Sequence, residues 1–163
     1  MKKISIIVVL LFLPLTGISQ GWEKTYHPED KLMGTQAYTS YYYTDALGNG
    51  FVYWSDSDVK FRVITTEGIF DYSITSEGQH IIHCKVGFYN DEDVLVEDKN
   101  MILRVVNGNA SQAEMFNPIG NFGVNKRKGK ELLKYINEEQ GYVRVVATLY
   151  GGGLFDIKIP CMN

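Results

Sequence analysis

Cysteine is nearly missing from this chain: 163 residues hold two, Cys84 and Cys161. Histidine is as scarce, with His27, His80 and His83 its three examples. Tetrahedral zinc sites want four ligands with a close Cys or His pair, and a redox pair normally has CxxC spacing. His80, His83 and Cys84 are close in sequence, but in a strand His83 faces away from both of the others, and no CxxC is here. GxSxG, HExxH, P-loop and GxGxxG motifs are also missing, which removes the commonest sequence routes to hydrolase, metalloprotease and nucleotide chemistry. After residue 20 no apolar run has the roughly 20 residues that a membrane-spanning helix needs. Basic excess is lacking too, and with it the electrostatic footprint of a nucleic-acid binder.

What is present begins with "MKKISIIVVLLFLPLTGISQ". Lys2 and Lys3 precede an apolar core from Ile4 to Leu13, and Gly17 and Ser19 supply small residues at signal-cleavage spacing. Residues 1–20 are therefore expected to be an export signal cut after Ser19 or Gln20, the alternative being an uncleaved N-terminal element. Residues 21–163 then carry 14 Lys and Arg against 19 Asp and Glu, a net charge of −5. That length predicts a single domain. The short basic cluster "NKRKGK" precedes the expected helix and reads as its solvated approach.

Short alternating segments dominate. "QAYTSYYYTD" and "FVYWS" flank a Gly48-Asn49-Gly50 turn and predict a hairpin. "VKFRVIT" alternates Val59, Phe61 and Val63 with Lys60, Arg62 and Ile64; "HIIHCKVGFY", "NMILRVVN", "YVRVVATLY" and "LFDIKIP" are further strand candidates. "GWEKTYHPEDKLMGT" reads as an irregular arm. Residues 107–125 have no clean period and read as a long loop, with room for a helical turn at 111–116. One helix is expected near residues 129–140, with Leu132, Leu133 and Ile136 as its apolar stripe and Gly141 as its stop. The fold class expected is mainly β: an antiparallel β-sandwich, or small open barrel, with one packed α-helix.

Side-chain parity bears on the cysteines. Cys84 shares a face with Ile82, Val86 and Phe88, and Cys161 continues the face of Phe155, Ile157 and Ile159. Two inward cysteines in an exported chain predict a Cys84–Cys161 disulfide, with two separate buried thiols as the alternative.

Three groups of residues are candidates for function. The hairpin at 38–54 concentrates aromatics, and Tyr41, Tyr43, Tyr53 and Trp54 are candidate ligand-binding residues, since aromatic faces suit sugar rings or peptides. The competing reading packs them at a rim or under the N-terminal arm. Acidic residues gather at Asp56 and Asp58 and in "NDEDVLVED" and read first as solvated turns; Asp91 and Asp93 would be the first suspects for calcium, an ion that takes six to eight oxygens. No other cofactor is expected. A Ser-His-Asp set assembled from distant positions, with Asp71 or Asp156 as the acid, keeps a small secreted hydrolase as an alternative.

"GKELLKYINEEQGYVRVVATLYGGGLFDIKIP" resembles the ending of small exported β-sandwich proteins of Gram-negative bacteria, of the type VI secretion-associated and invasion-associated kinds. In these a helix leads into a strand of the form xVRxxxY, a glycine-rich turn and FDxxx. Val143, Arg144, Tyr150, Phe155 and Asp156 are the matching positions, with structural roles implied. The "ISQ" junction also resembles small exported proteins of Bacteroidetes, implying a periplasmic or outer-surface setting. Together these features predict a noncatalytic exported binding or accessory module of the cell envelope with a protein or glycan partner. A carbohydrate-binding domain using the aromatic hairpin is the first alternative.

Overall fold

Strand formers separated by tight turns build the molecule from ten strands and a helix among the described residues. The computed structural model describes residues 21–32, 34–55, 60–116 and 124–163. The expected leader at 1–20, Asp56, Asp58 and Val59 lie outside them. The strands are β1 (Gly21–His27), β2 (Tyr38–Thr44), β3 (Gly50–Trp54), β4 (Lys60–Ile64), β5 (Ser73–Ile74), β6 (His80–Tyr89), β7 (Leu95–Val106) and β8 (Asn109–Met115). Helix α1 (Val124–Glu138) follows, then β9 (Tyr142–Thr148) and β10 (Leu154–Pro160).

The strands pair antiparallel in one continuous sheet, ordered β1-β2-β3-β4-β8-β7-β6-β9-β10, with β5 beside β6. The fold is thus mainly β with one packed helix, and of the two layouts expected the open barrel describes the connectivity: the sheet curls as a half-barrel around α1. Alternation explains why. Ile82, Cys84, Val86 and Phe88 of β6, Val143, Val145 and Ala147 of β9, and Phe155, Ile157 and Ile159 of β10 are all buried on one face. Phe51, Phe61, Val63, Met101 and Leu103 extend that face across the sheet. Each such large side chain contributes on the order of 1.5–3 kcal/mol when removed from water.

The helix covers the concave face. Its buried residues, Asn125, Gly129, Leu132 and Ile136, recur at intervals of three and four and so share one side. Asn125 does more than fill space: its Oδ1 accepts from the Ile102 amide at 3.1 Å and its Nδ2 donates to the Ile102 carbonyl at 2.7 Å and to the Phe116 carbonyl. It substitutes for a strand neighbour where β8 ends.

Several expectations change. Gly21–His27 is a strand paired with β2 rather than an irregular arm. Within residues 107–125, Asn109–Met115 is a strand, returning from β7 through Asn107 and Gly108, both with positive φ. The helix begins at Val124, ahead of the expected start.

The disulfide does not form: both thiols are free. Parity places both cysteines on the concave side, but register separates them. Cys84 lies opposite Ala147, whereas the Cys161 amide bonds to the Gly141 carbonyl, six residues further along β9 and beyond its start. At about 3.3 Å per residue the offset approaches 20 Å, while a disulfide needs Cα atoms within about 7 Å. Cys84 Sγ donates instead to the Met101 carbonyl at 3.6 Å and Cys161 Sγ to the Tyr135 carbonyl at 3.4 Å. Burial pushes the two thiols up to about 12 and about 11.

Candidate functional site: the seam between the sheet edges

A curled sheet that does not close brings its two edge strands face to face. Here β1 and β10 are those edges. Trp22 of β1 spans the seam, its Nε1 donating to the Pro160 carbonyl at 2.9 Å. The indole is seated in an aromatic cluster, 5.7 Å from the Tyr43 ring and edge-on to Phe51 and Tyr53 at 6.2 and 5.9 Å. Beside it opens a groove of about 560 Å³ lined by Tyr43, Asp91, Asp93, Gly141, Tyr142 and Lys158, among others. A second hollow of about 320 Å³ shares Tyr43 and Lys158 and runs on to Asp45, Leu47 and Asp156.

Each wall has a local cause. The β6–β7 turn is folded by Asn90, whose side-chain oxygen accepts from the Glu92 and Val94 amides at 3.1 and 2.9 Å. This loop carries Asp91 and Asp93, with Asp93 at φ 61°. Gly141, at φ 104°, lies so close to the Tyr89 carbonyl and Asn90 backbone that a side chain there has no room. That contact presses the acidic turn against the start of β9.

Tyr142 stacks on Tyr89 at 4.7 Å and 6°, with Lys158 Nζ 4.8 Å from its ring centre. Its hydroxyl donates to Asp93 Oδ1. Burial and the Asp93 carboxylate push that phenol up to about 12, so it stays a donor at neutral pH. Behind it Arg144 grips Asp156 with two bonds of 2.8 and 2.5 Å. This pairing holds the Asp156 carboxyl below its usual range.

The four hairpin aromatics separate. Tyr43 is buried and lines the groove. Tyr41 stacks flat on Tyr53 at 4.7 Å, with Lys24 Nζ 5.6 Å above it. Tyr53 is buried, and its hydroxyl donates to Asn137 Oδ1 at 2.9 Å. Trp54 has the opposite parity and lies on the convex face, where Arg62 covers it at 5.5 Å. Asp91 and Asp93, by contrast, come together with Tyr43 in one groove. Among the described residues no three His, Cys, Asp or Glu are grouped to hold a metal ion.

The histidines are dispersed. His27 meets Ser40 Oγ at 2.9 Å and stacks on Tyr38 at 4.3 Å, on the convex side of the β1–β2 pair. His80 stacks on Tyr72, and His83 is exposed. None of the three lines the groove. Among the described residues no helix is long and apolar enough to cross a membrane.

Sequence reasoning overlooked Gly141, Tyr142 and Lys158 as site residues. The outward parity of Tyr142 and Lys158 on otherwise inward-apolar strands was the available signal. No family model, curated protein or solved structure matches the chain.

Proposed function

We propose that this protein is a noncatalytic exported binding or accessory module of the bacterial envelope, and that the seam groove is its binding surface. The observation that carries the reading is the convergence of Tyr43, Asp91, Asp93, Tyr142 and Lys158 on one groove of about 560 Å³ at the open side of the sheet. It combines an apolar floor with hydrogen-bonding groups of both signs, the composition of a recognition site. The leader-like first twenty residues and the resemblance of the C-terminal third to exported sandwich proteins support the envelope setting.

A glycan in this groove would be held chiefly by hydrogen bonds to Asp91 and Asp93. Ring stacking is disfavoured there, because the Tyr142 faces are taken by Tyr89 and Lys158. The hydrolase alternative would need the His27–Ser40 pair to work on the convex face, away from the groove.

The test is a titration of isotope-labelled protein, recovered from its export route, with a panel of muropeptides, oligosaccharides and extended peptides. The expected result is amide shift changes clustered at Asn90–Asp93, Gly141, Tyr142 and Lys158, with the ligand unaltered. Changes clustered elsewhere, or turnover of a panel member, would overturn the reading.

A further inference from the structure

The backbone of β10 is open on the seam side, and its register shows which groups are free. The Cys161 amide bonds to the Gly141 carbonyl and the Leu149 amide to the Gly153 carbonyl, on either end of the β9–β10 pair. In an antiparallel ladder hydrogen-bonded pairs alternate, so Phe155, Ile157 and Ile159 exchange bonds with β9. The amide and carbonyl groups of Asp156 and Lys158 therefore point away from β9, toward the seam. The Pro160 carbonyl has the same parity, and it is indeed met from the seam side by the Trp22 indole. Pro160 has no amide hydrogen to offer, so this latch ends the open stretch. Leu154–Lys158 is left as a bounded slot. No pairing joins β1 to β10 along it among the described residues.

The slot has different chemistry at its two ends. Leu47 and Leu154, each 61% exposed, stand at one end. Asp91 and Asp93 stand at the other, beyond Lys158. Asp156 is neutralised by Arg144, and Asp45 lies along the way. Carboxylates exceed cations, so the charge complement is a basic partner.

We propose that the slot takes an extended peptide segment as an added strand on β10, with a lysine or arginine of the segment at Asp91 and Asp93 and an apolar residue at Leu47 and Leu154. Strand addition of this kind draws affinity from main-chain bonds and selectivity from alternate side chains. The proposal rests on the seam groove being the binding surface.

The probe is a blocked eight-residue peptide alternating threonine and isoleucine, with lysine at one end and leucine at the other. Its counterpart replaces lysine by glutamate. Residue-resolved amide exchange of the exported protein reads the binding. In the free monomer the Asp156 and Lys158 amides exchange fast while those of Phe155, Ile157 and Ile159 are protected. The lysine peptide slows Asp156 and Lys158, and the glutamate peptide binds more weakly. Lys158→Pro deletes a seam-facing donor without touching the β9 ladder, which edge strands tolerate, and should weaken binding about tenfold, the equivalent of one or two backbone bonds. Lys158→Thr loses the same side chain but keeps the donor, so the tenfold loss is read between the two variants.

Protection of Asp156 and Lys158 in the free monomer would mean that the chain fills its own slot, and overturns the proposal. So would self-association abolished by Lys158→Pro, which makes a second copy the occupant, or peptide binding that leaves those amides unprotected. If other panel ligands shift the groove while these amides stay fast, strand addition fails and the binding-module reading survives. If nothing in the panel moves the groove, both fall.

Discussion

Replacing Gly141 with alanine tests how the groove is built. Two penalties meet there: a φ of 104°, and a new Cβ driven into the Tyr89 carbonyl and Asn90 backbone. Gly78 separates them, since its φ is 76° but nothing lies within 4 Å of an added Cβ. Positive φ alone costs an L-residue about 1–2 kcal/mol, which is the expected loss for Gly78→Ala. At Gly141 the obstructing atoms are backbone, which cannot rotate aside, and overpacking adds about 1–3 kcal/mol. Gly141→Ala should therefore lose about 2–5 kcal/mol, a large share of the roughly 5–15 kcal/mol available to a domain. Urea unfolding followed by tryptophan fluorescence measures both variants. With urea slopes of about 1–3 kcal/mol per molar, the Gly141 variant should melt on the order of 1 M earlier than the Gly78 variant. Equal midpoints at equal slopes would refute the claim that this close approach holds the acidic turn in place.

The thiols give a second check: denatured, unreduced protein should take up an alkyl group at both Cys84 and Cys161, whereas the folded protein should react slowly at pH 7.5, since burial pushes the two thiols up to about 12 and about 11. Intact mass reads both. Asn125→Ala should cost about 1–3 kcal/mol by equilibrium unfolding, because it leaves the Ile102 amide without its partner while the Ile102 carbonyl keeps the Phe116 amide at 3.3 Å; a loss below about 0.5 kcal/mol would contradict the role assigned to it. Asp156 is held low by Arg144, so its contribution is full above the usual carboxylate range and is lost as pH falls through and below it. Both side chains are more than a third exposed, so the gap between parent and Asp156→Asn should be under about 1 kcal/mol at pH 7 and close toward pH 3.

Alternation carried most of what was legible in advance. In β6 and β10 every second residue is apolar, and those residues are the core; in α1 Leu132 and Ile136 are the fully buried pair that the stripe implied. Local signals were less well used. Asn107-Gly108 is a strong two-residue hairpin signal, yet the polar "NASQAEM" beyond it hid a strand that gains its place by pairing with both β7 and β4. Gly21–His27 is mostly exposed at the sheet edge, so it has no apolar rhythm to read. The cysteine pairing failed for a different reason. Facing is a property of one strand, whereas register belongs to two, and nothing in "HIIHCKVGFY" says which residue of β9 will sit opposite Cys84. The site was half legible for the same reason: Tyr43, Asp91 and Asp93 were candidates in separate segments, and the curl of the sheet makes them neighbours.

The Trp22–Pro160 bond joins residues 138 positions apart, and this bears on the order of events as the chain folds. Closing a loop of that length costs about 4 kcal/mol in chain entropy, several times the roughly 1 kcal/mol of one hydrogen bond. The latch therefore cannot recruit its own ends. It can snap shut only after the intervening strands have already carried Trp22 and Pro160 together, which makes it the last stitch of assembly and a reporter of completion. Indole fluorescence, quenched or shifted at that moment, would mark the instant at which the two ends of the fold first meet.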